Sequence, residues 1–385
     1  MQGPLRTRPE LVAVEDARMR PTRAPFLIAL LALVAAAPAR AEASYVITGA
    51  GFGHGVGMSQ WGAYGYAKHG AEHRDIVTHY FKGTKVMRAK ASRSVRVLLG
   101  ADPNVAFSGS KRACGVNLRP ARTYRAALNG NAVRLERSNG ARLAACGSTL
   151  VAKGVAGPIQ IGGEGSFRGD LVAAVKGGRQ YVVNELVLDD YVKGVIANEM
   201  PSGWPLDALK AQAVAARSYA IATDSGGRIF DQYGDTRSQV YGGLATETDR
   251  TNRAVRRSSR QVVTYEGEVI PAFYSSSSGG RTENVEFGFL GASPAPYLRS
   301  VRDPFDDASP DHRWRETFTR GQMEAKLGGL VEGRFRGIEV TKRGASPRVV
   351  AAKVLGSAGS TRVTGTDLRV RLGLLSTWAK FERPR

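Results

Sequence analysis

The chain has 385 residues, of which 42% are hydrophobic, 55 are Lys or Arg and 34 are Asp or Glu. That apolar content excludes a disordered polyelectrolyte, and the length suffices for one large domain or two ordinary ones. The net charge of +21 predicts an anionic partner, which is a nucleic acid, an anionic lipid surface or an anionic wall polymer.

An apolar segment near the N-terminus decides among these partners. Residues 24–39 are mostly apolar, follow several arginines and lead into the small-x-small sequence Ala39-Arg40-Ala41. This is typical of a secretory signal peptide, so we expect cleavage after residue 41 and a secreted, extracytoplasmic protein associated with the cell wall. A membrane anchor is the alternative, although the run is shorter than the ~20 residues of a span. An exported protein does not meet the chromosome, so no nucleic acid is expected as a partner.

Alternate glycines mark residues 45–63, which also contain His54, Ser59 and Gln60. Glycines let the backbone approach a ligand or a neighbouring segment closely. We therefore interpret these three polar residues as candidate substrate-positioning groups. For His54, a structural hydrogen bond that fixes the loop is the alternative. The residues that follow, 63–82, have a helical pattern broken at Gly70.

A β-rich module is predicted over residues 91–183, where short apolar alternations are separated by Gly and Asn turns. Cys114 and Cys146, the only cysteines, are expected to form a disulfide because the chain is exported. Ser108 and Lys111 fit the Ser-x-x-Lys pattern of serine acyl-enzymes, but the companion Ser-Asp-Asn and Lys-Thr-Gly motifs are missing. The pattern by itself therefore does not indicate a serine acyl-enzyme.

Two helices are predicted after this module, over residues 188–200 and 205–223. In the first, Glu199 continues an apolar stripe at i, i+3, i+4 spacing. A carboxylic acid held partly out of water has a raised pKa, which suits a general acid, although a salt bridge to the second helix is the alternative. Lys210 and Arg217 share a face of the second helix. They are expected either to orient Glu199 or contact substrate, or to be solvated charges.

The stretch at residues 191–219, YVKGVIANEMPSGWPLDALKAQAVAARSY, resembles the signature of the SpoIID/LytB family. That family includes sporulation-related peptidoglycan lytic transglycosylases and amidase enhancers. The resemblance covers most of residues 45–381 apart from the β-rich stretch around 100–180. Four further stretches carry it, at residues 53–63, 239–243, 272–283 and 296–304.

The resemblance implies that Glu199 is the catalytic acid/base of a peptidoglycan lytic transglycosylase. Such an enzyme cleaves the bond between N-acetylmuramic acid and N-acetylglucosamine in glycan strands, and leaves an anhydro-muramyl end. The alternative is a non-catalytic peptidoglycan-binding amidase enhancer whose partner is a wall amidase. Ser276 and Ser277, in the serine run at residues 275–278, are expected to contact sugar groups or to form a tight β-turn.

No cofactor and no metal are expected. Some family members carry Cys and His just before the motif at residues 239–243, where these side chains hold zinc. This chain has Gln232, Arg237 and Ser238 in that stretch instead.

The order of the motifs departs from the family pattern. The His-Gly motif at residues 53–63 opens this chain, whereas in the family's sporulation proteins it lies near the C-terminus, as if this domain were circularly permuted. We therefore expect the two ends of the chain to meet beside the helix pair. The predicted organisation is an α+β fold with a signal peptide at 1–41, a SpoIID-like catalytic domain formed by 42–90 and 184–381, and the β-rich module inserted at 91–183.

Overall fold

The chain forms both helices and many strands, largely in separate stretches of the sequence, which is consistent with the predicted α+β class. The computed structural model describes residues 44–89, 93–154 and 157–382. Two predicted features lie outside these residues, namely the signal segment at 1–41 and the module boundary at 90–91. Among the described residues, no helix is both long enough and apolar enough to span a bilayer.

The helices begin and end where the sequence supplies caps and breakers. Ser59 caps the first helix, because its Oγ accepts a hydrogen bond from the Gly62 amide at 3.1 Å. The third helix ends at Glu199, and Pro201, two residues further on, prevents its continuation. The described residues contain eight α-helices: α1 (Gln60–Lys68), α2 (His73–Tyr80), α3 (Leu188–Glu199), α4 (Leu206–Ala222), α5 (Asp249–Arg257), α6 (Val285–Gly288), α7 (Arg320–Leu327) and α8 (Gly365–Leu372).

The strands are concentrated between α2 and α3. The first three are β1 (Ser44–Gly49), β2 (Met58–Ser59) and β3 (Lys85–Arg88). The next twelve are β4 (Ser94–Ala101), β5 (Asn104–Ser108), β6 (Arg112–Ala113), β7 (Val116–Asn117), β8 (Tyr124–Asn129), β9 (Ala132–Arg137), β10 (Arg142–Ala145), β11 (Thr149–Ala152), β12 (Ile159–Ile161), β13 (Gly165–Phe167), β14 (Asp170–Lys176) and β15 (Arg179–Val187). The remainder are β16 (Gln232–Tyr233), β17 (Gln261–Tyr265), β18 (Glu268–Val269), β19 (Tyr274–Ser275), β20 (Trp314–Thr319), β21 (Phe335–Arg343), β22 (Val349–Gly356), β23 (Ser360–Thr364) and β24 (Ala379–Phe381).

Two large sheets form the β-rich part of the chain. Their strand orders are β16-β4-β15-β14-β11-β6-β7 and β10-β9-β8-β5-β12-β13. The first sheet includes β16, which follows the helix pair in sequence and pairs with β4 in parallel. In addition, β15 continues to Val187 and leads directly into α3. The predicted module boundary between residues 183 and 184 therefore falls inside a strand, because backbone pairing with β4 and β14 extends past it.

One hydrophobic core joins the β-rich part to the helix pair. Phe107 and Leu150 from the two sheets belong to the same buried cluster as Val195 and Ile196 of α3 and Leu209 of α4. A second cluster packs α7 and α8 against the sheet formed by β21, β22 and β23. Burial of one large apolar side chain stabilises a fold by about 1.5–3 kcal/mol, so the shared cluster fixes the sheets relative to α3 and α4.

The two ends of the described chain meet in a small sheet. β1 lies between β20 and β24, with Ile47 opposite Phe381 and Gly49 opposite Ala379. The loop that follows β1, residues 50–57, is called the glycine loop below. Its Gly53 amide donates a hydrogen bond to the Leu375 carbonyl at 3.0 Å. The ends therefore lie together as predicted, but their sheet belongs to the core around α7 and α8 and not to that of the helix pair. Circular permutation itself stays a prediction.

A disulfide joins Cys114 and Cys146, whose Cα atoms lie 5.4 Å apart. The bridge connects the turn between β6 and β7 to the residue after β10, so it ties the edges of the two large sheets together. The linked residues are 32 positions apart in the sequence.

Replacing both cysteines by serine is expected to lower the free energy of unfolding by about 3–4 kcal/mol, because the open chain regains the entropy of a closed loop of this length. Urea unfolding of the oxidised wild type and of the double variant measures the difference. Reduced wild type is the control and should unfold with the variant. An unfolding midpoint that reduction leaves unchanged would contradict the prediction.

Candidate active site

A pocket of about 180 Å³ opens at the C-terminal end of α3. The glycine loop, α3, the segment before residue 240, the serine run and α8 all contribute to its wall. Its polar lining side chains are His54, Gln60, Asn198, Glu199, Thr236, Ser238, Tyr274, Ser275, Ser276 and Arg369. Among the described residues that line the pocket, Glu199 is the only carboxylic acid and Arg369 the only Lys or Arg.

Glu199, the last residue of α3, is held by neutral hydrogen-bond donors. Gln60 Nε2 donates to one carboxylate oxygen at 3.1 Å, and the Val240 amide donates to the other at 3.4 Å. Burial raises the pKa of Glu199 above its ordinary value, and the hydrogen bonds from Gln60, Val240 and Tyr274 oppose that rise only in part. The negative end of the α3 dipole disfavours the carboxylate as well. Within the described structure Glu199 has no ion pair, so the predicted salt bridge to α4 is absent.

Tyr274 connects Glu199 to a chain of buried polar groups. Its hydroxyl accepts a hydrogen bond from Gln239 Nε2 at 2.8 Å, which leaves the hydroxyl proton for Glu199. Gln239 in turn accepts a hydrogen bond from the Tyr191 hydroxyl at 3.1 Å. Burial and the charge of Glu199 raise the pKa of Tyr274 well above its ordinary value, so this phenol remains a donor. The chain fixes the direction of the proton that Tyr274 presents.

His54 lines the pocket but uses both ring nitrogens for the protein itself. Its Nδ1 accepts a hydrogen bond from the Val56 amide at 3.0 Å, and the ring also donates to the Tyr274 carbonyl. Burial, with the positive charges of Arg348 and Arg369, lowers the pKa of His54 to about 3, so the ring is neutral. This geometry favours the structural interpretation of His54, in which it holds the backbone of Tyr274 in place.

The glycine loop approaches its neighbours too closely for side chains. Gly57 has a φ of +72°, and a β-carbon there would lie 2.1 Å from the Phe273 carbonyl oxygen. The close approach lets β2 and β19 pair in parallel, with Met58 opposite Tyr274. The glycines therefore bring the segments that carry Gln60 and Tyr274 together beside Glu199.

Ser59 and Ser277, both predicted to contact substrate, lie outside the pocket. Each is at most 1% exposed, and each donates a hydrogen bond to the buried carboxylate of Asp306, at 2.6 and 2.7 Å. The amides of Ser278 and Gly279 donate to the same carboxylate at 2.8 and 2.9 Å. The structure corrects the prediction that these serines contact substrate, because both hydroxyls donate to the buried carboxylate of Asp306 instead. Ser276, by contrast, does line the pocket.

Lys210 and Arg217 also lie away from the pocket, and neither contacts Glu199. Lys210 pairs with Asp207 of its own helix at 2.6 Å. Arg217 is buried, pairs with Asp189 at 2.7 Å and donates to the Gln261 carbonyl at 2.9 Å. The predicted orienting role is therefore wrong, because both cations are held by other acids.

Several pocket residues were not singled out from the sequence. Tyr274 lines the pocket, and Gln239, which is not a lining residue, donates a hydrogen bond to it. Both lie in the family-like stretches at 272–283 and 239–243, so those motifs were the available signal. Arg369 on α8 had no such signal, because it reaches the pocket only through the pairing of the chain ends.

No group of three or more His, Cys, Asp or Glu side chains suited to a metal occurs in the described part of the chain. At the position where some family members hold zinc, Gln232 Nε2 donates to the Thr223 carbonyl at 2.8 Å. Arg237 pairs with Asp235 at 2.7 Å.

Comparison with known proteins identifies similar chains. Residues 176–265 match the SpoIID family model, described as stage II sporulation protein. Stage II sporulation protein D of Bacillus subtilis is 31% identical over 220 residues, which are 53% of this chain and 62% of that protein. The amidase enhancer of Bacillus subtilis is 43% identical over 135 residues, which are 35% of this chain and 18% of that protein. The chain thus spans less than two thirds of the length of either relative.

Glu199→Gln is expected to change how stability depends on pH. Below the ordinary glutamate pKa of 4.5 the carboxyl group is neutral in both the folded and unfolded states, so wild type and variant should be similarly stable. As the pH rises further, Glu199 ionises more readily in the unfolded chain than in the folded site, where its pKa is raised. The free energy of unfolding of the wild type therefore falls, whereas that of the variant lacks this contribution. Urea unfolding of both proteins between pH 4 and pH 8 measures this.

The difference between the two proteins isolates Glu199, because other buried acids occur in both. Asp303 is one of these, since burial and the neighbouring Asp306 raise its pKa to about 7. A difference in unfolding free energy that stays constant across this range would refute a raised pKa for Glu199.

Proposed function

Because the chain belongs to the SpoIID/LytB family, we propose that it is a secreted, wall-associated peptidoglycan lytic transglycosylase that acts in cell-wall remodelling. The observation that carries this proposal is Glu199, the one carboxylic acid among the described residues that line the pocket, whose pKa is raised by burial and whose hydrogen-bond partners are all neutral. A group of this kind is protonated over a wider pH range than an exposed glutamate, as a general acid requires.

In the proposed reaction, Glu199 first acts as an acid. Its carboxyl proton moves to the oxygen that links the C1 atom of N-acetylmuramic acid to N-acetylglucosamine. The C1–O bond breaks through an oxocarbenium-like transition state, and N-acetylglucosamine leaves with a hydroxyl group. Gln60 and the Val240 amide stabilise the carboxylate that remains, because both donate to its oxygens.

Glu199 then acts as a base. Its carboxylate takes the proton of the muramyl 6-hydroxyl, whose oxygen closes onto C1 and gives the 1,6-anhydro product. The acid is regenerated and no water is consumed. Ordinary glycoside hydrolases use two carboxyl groups, so a pocket whose described lining offers only Glu199 supports the ring-closing route over hydrolysis.

A non-catalytic amidase enhancer is the second candidate, favoured by the 43% identity to a protein of that name. Such a protein would bind peptidoglycan and act through a wall amidase. The two candidates differ in whether glycan strands are cut by the purified protein alone.

Digestion of purified peptidoglycan, and of glycan strands stripped of their peptides, tests the proposal. Products lighter than hydrolytic fragments by one water are expected by mass spectrometry from the wild type. Glu199→Gln should lower their rate of formation by about 100-fold or more, since it removes the transferable proton. Lys210→Gln is a matched control because Lys210 does not line the pocket, and it should keep wild-type activity.

Other products would reject the transglycosylase. Reducing ends without the loss of water would indicate a hydrolase. Binding of both substrates with no cleavage would favour the amidase-enhancer function.

Tyr274→Phe is expected to move the basic limb of the pH–rate profile to higher pH. The hydrogen bond from Tyr274 lowers the pKa of Glu199, so its loss keeps the acid protonated further into the alkaline range. The variant also leaves Gln239 Nε2 without its partner, at a cost in stability of about 1–3 kcal/mol. Tyr265→Phe is the control, because the Tyr265 ring packs on Tyr297 and does not line the pocket. A basic limb that does not move would mean that Tyr274 has no effect on Glu199.

A further inference from the structure

A second pocket, of about 740 Å³, lies in the β-rich part of the chain and shares no lining residue with the pocket around Glu199. Arg119, Arg122 and Arg137 line it, together with the amide side chains of Asn117 and Asn139. None of the described residues that line this pocket is acidic. Nothing in the proposed cleavage chemistry uses these side chains.

The surrounding sequence is strongly basic. Residues 111–142 contain eight Lys or Arg side chains and one acid, Glu136. That acid is paired with Arg134 at 3.3 Å and lies opposite Arg125 and Arg142 in the strand register, rather than in the pocket. The positive charge of the three pocket arginines is therefore not neutralised by the local acid.

Hydrogen-bonded turns and the disulfide form the frame of the pocket. The Arg119 amide donates to the Tyr124 hydroxyl at 2.9 Å, and the Arg122 amide donates to the Arg119 carbonyl at 2.9 Å. On the other side, the Arg137 amide donates to the Ala141 carbonyl at 2.8 Å. The bridge between residues 114 and 146 ties together the edge strands β7 and β10, which adjoin these turns in sequence. The backbone is thus held by its own contacts, while the arginine side chains extend into the pocket.

The three guanidinium groups are free to bind a ligand. All three side chains are exposed, and within the described residues none has an ion pair or a side-chain hydrogen bond. Guanidinium groups pair with phosphate or carboxylate through two parallel hydrogen bonds. Neighbouring amide and hydroxyl side chains, including Asn117 and Ser138, suit the hydroxyl groups of a sugar.

We propose that this pocket binds an anionic polysaccharide through its phosphate or carboxylate groups. The combination of three unpaired arginines with neutral amides and hydroxyls fits a ligand that carries both anions and sugar hydroxyls. The site would hold the protein on an anionic envelope polymer whether or not Glu199 cleaves glycan.

Titration calorimetry with the full chain tests this site, using phosphomannan, polygalacturonate, uncharged mannan and a single-stranded oligonucleotide as probes. The test variant combines Arg119→Gln, Arg122→Gln and Arg137→Gln. The matched control combines Arg253→Gln, Arg256→Gln and Arg257→Gln, which removes three charges from exposed residues of α5. A third variant changes the pocket arginines to lysine, so it keeps the charge and loses the two-pronged geometry. Unfolding midpoints of all variants establish that they fold.

The wild type is expected to bind phosphomannan, polygalacturonate or both, and not mannan, and the two anionic probes show which group is preferred. The pocket Gln variant should bind about tenfold more weakly or worse, the lysine variant should be intermediate, and the α5 control should match the wild type. If the pocket Gln variant and the α5 Gln variant bind the anionic polysaccharides equally weakly, binding depends on net charge alone, and that result would overturn the proposal. So would a lysine variant equal to wild type, tighter binding of the oligonucleotide, or no binding of either anionic polysaccharide. The readout is binding rather than cleavage, so this result and that of the digest stand independently.

Discussion

The geometry of the proposed active site depends on the hydrogen bonds that the buried carboxylate of Asp306 accepts. It is fully shielded from solvent and accepts hydrogen bonds from two serine hydroxyls and two backbone amides, all at 2.6–2.9 Å. A buried charge is strongly destabilising unless such donors compensate it, so the segments that supply them are fixed in place. One of these donors, Ser59, directly precedes Gln60, and the others follow Tyr274 in the sequence. The same carboxylate therefore sets the positions of two hydrogen-bond partners of Glu199.

The electrostatics of the site depend on where the nearby cations are bound. Arg217 lies on the helix that packs against α3, but it pairs with Asp189 at the other end of α3. Glu199 is left with neutral partners only, which stabilise its charge less than a guanidinium would. As a result burial dominates, and the pKa of the carboxyl group is raised.

The shared hydrophobic core relates the two proposed sites to one another. Phe107 of the β-rich part and Val195 of α3 belong to one buried cluster, so the basic pocket and the pocket around Glu199 are carried on one packed unit. An anionic polymer bound at Arg119, Arg122 and Arg137 would be held at a fixed position relative to Glu199. The β-rich part would then orient the protein on its polymer as well as retain it there.

Local sequence patterns were enough to predict the α+β class, the two helices around Pro201, the placement of Glu199 on an apolar stripe and the pairing of two cysteines. These features depend on local periodicity, helix breakers or a choice among very few partners. Which polar groups reach Glu199 depends on tertiary packing, because its contacts with Gln60 and Tyr274 join segments far apart in the chain. For the same reason the sequence could not show that four residues predicted to bind substrate are held by acidic side chains elsewhere: Ser59, Ser277, Lys210 and Arg217. Whether a polar side chain faces a ligand or satisfies a buried charge is set by packing, which no local pattern encodes.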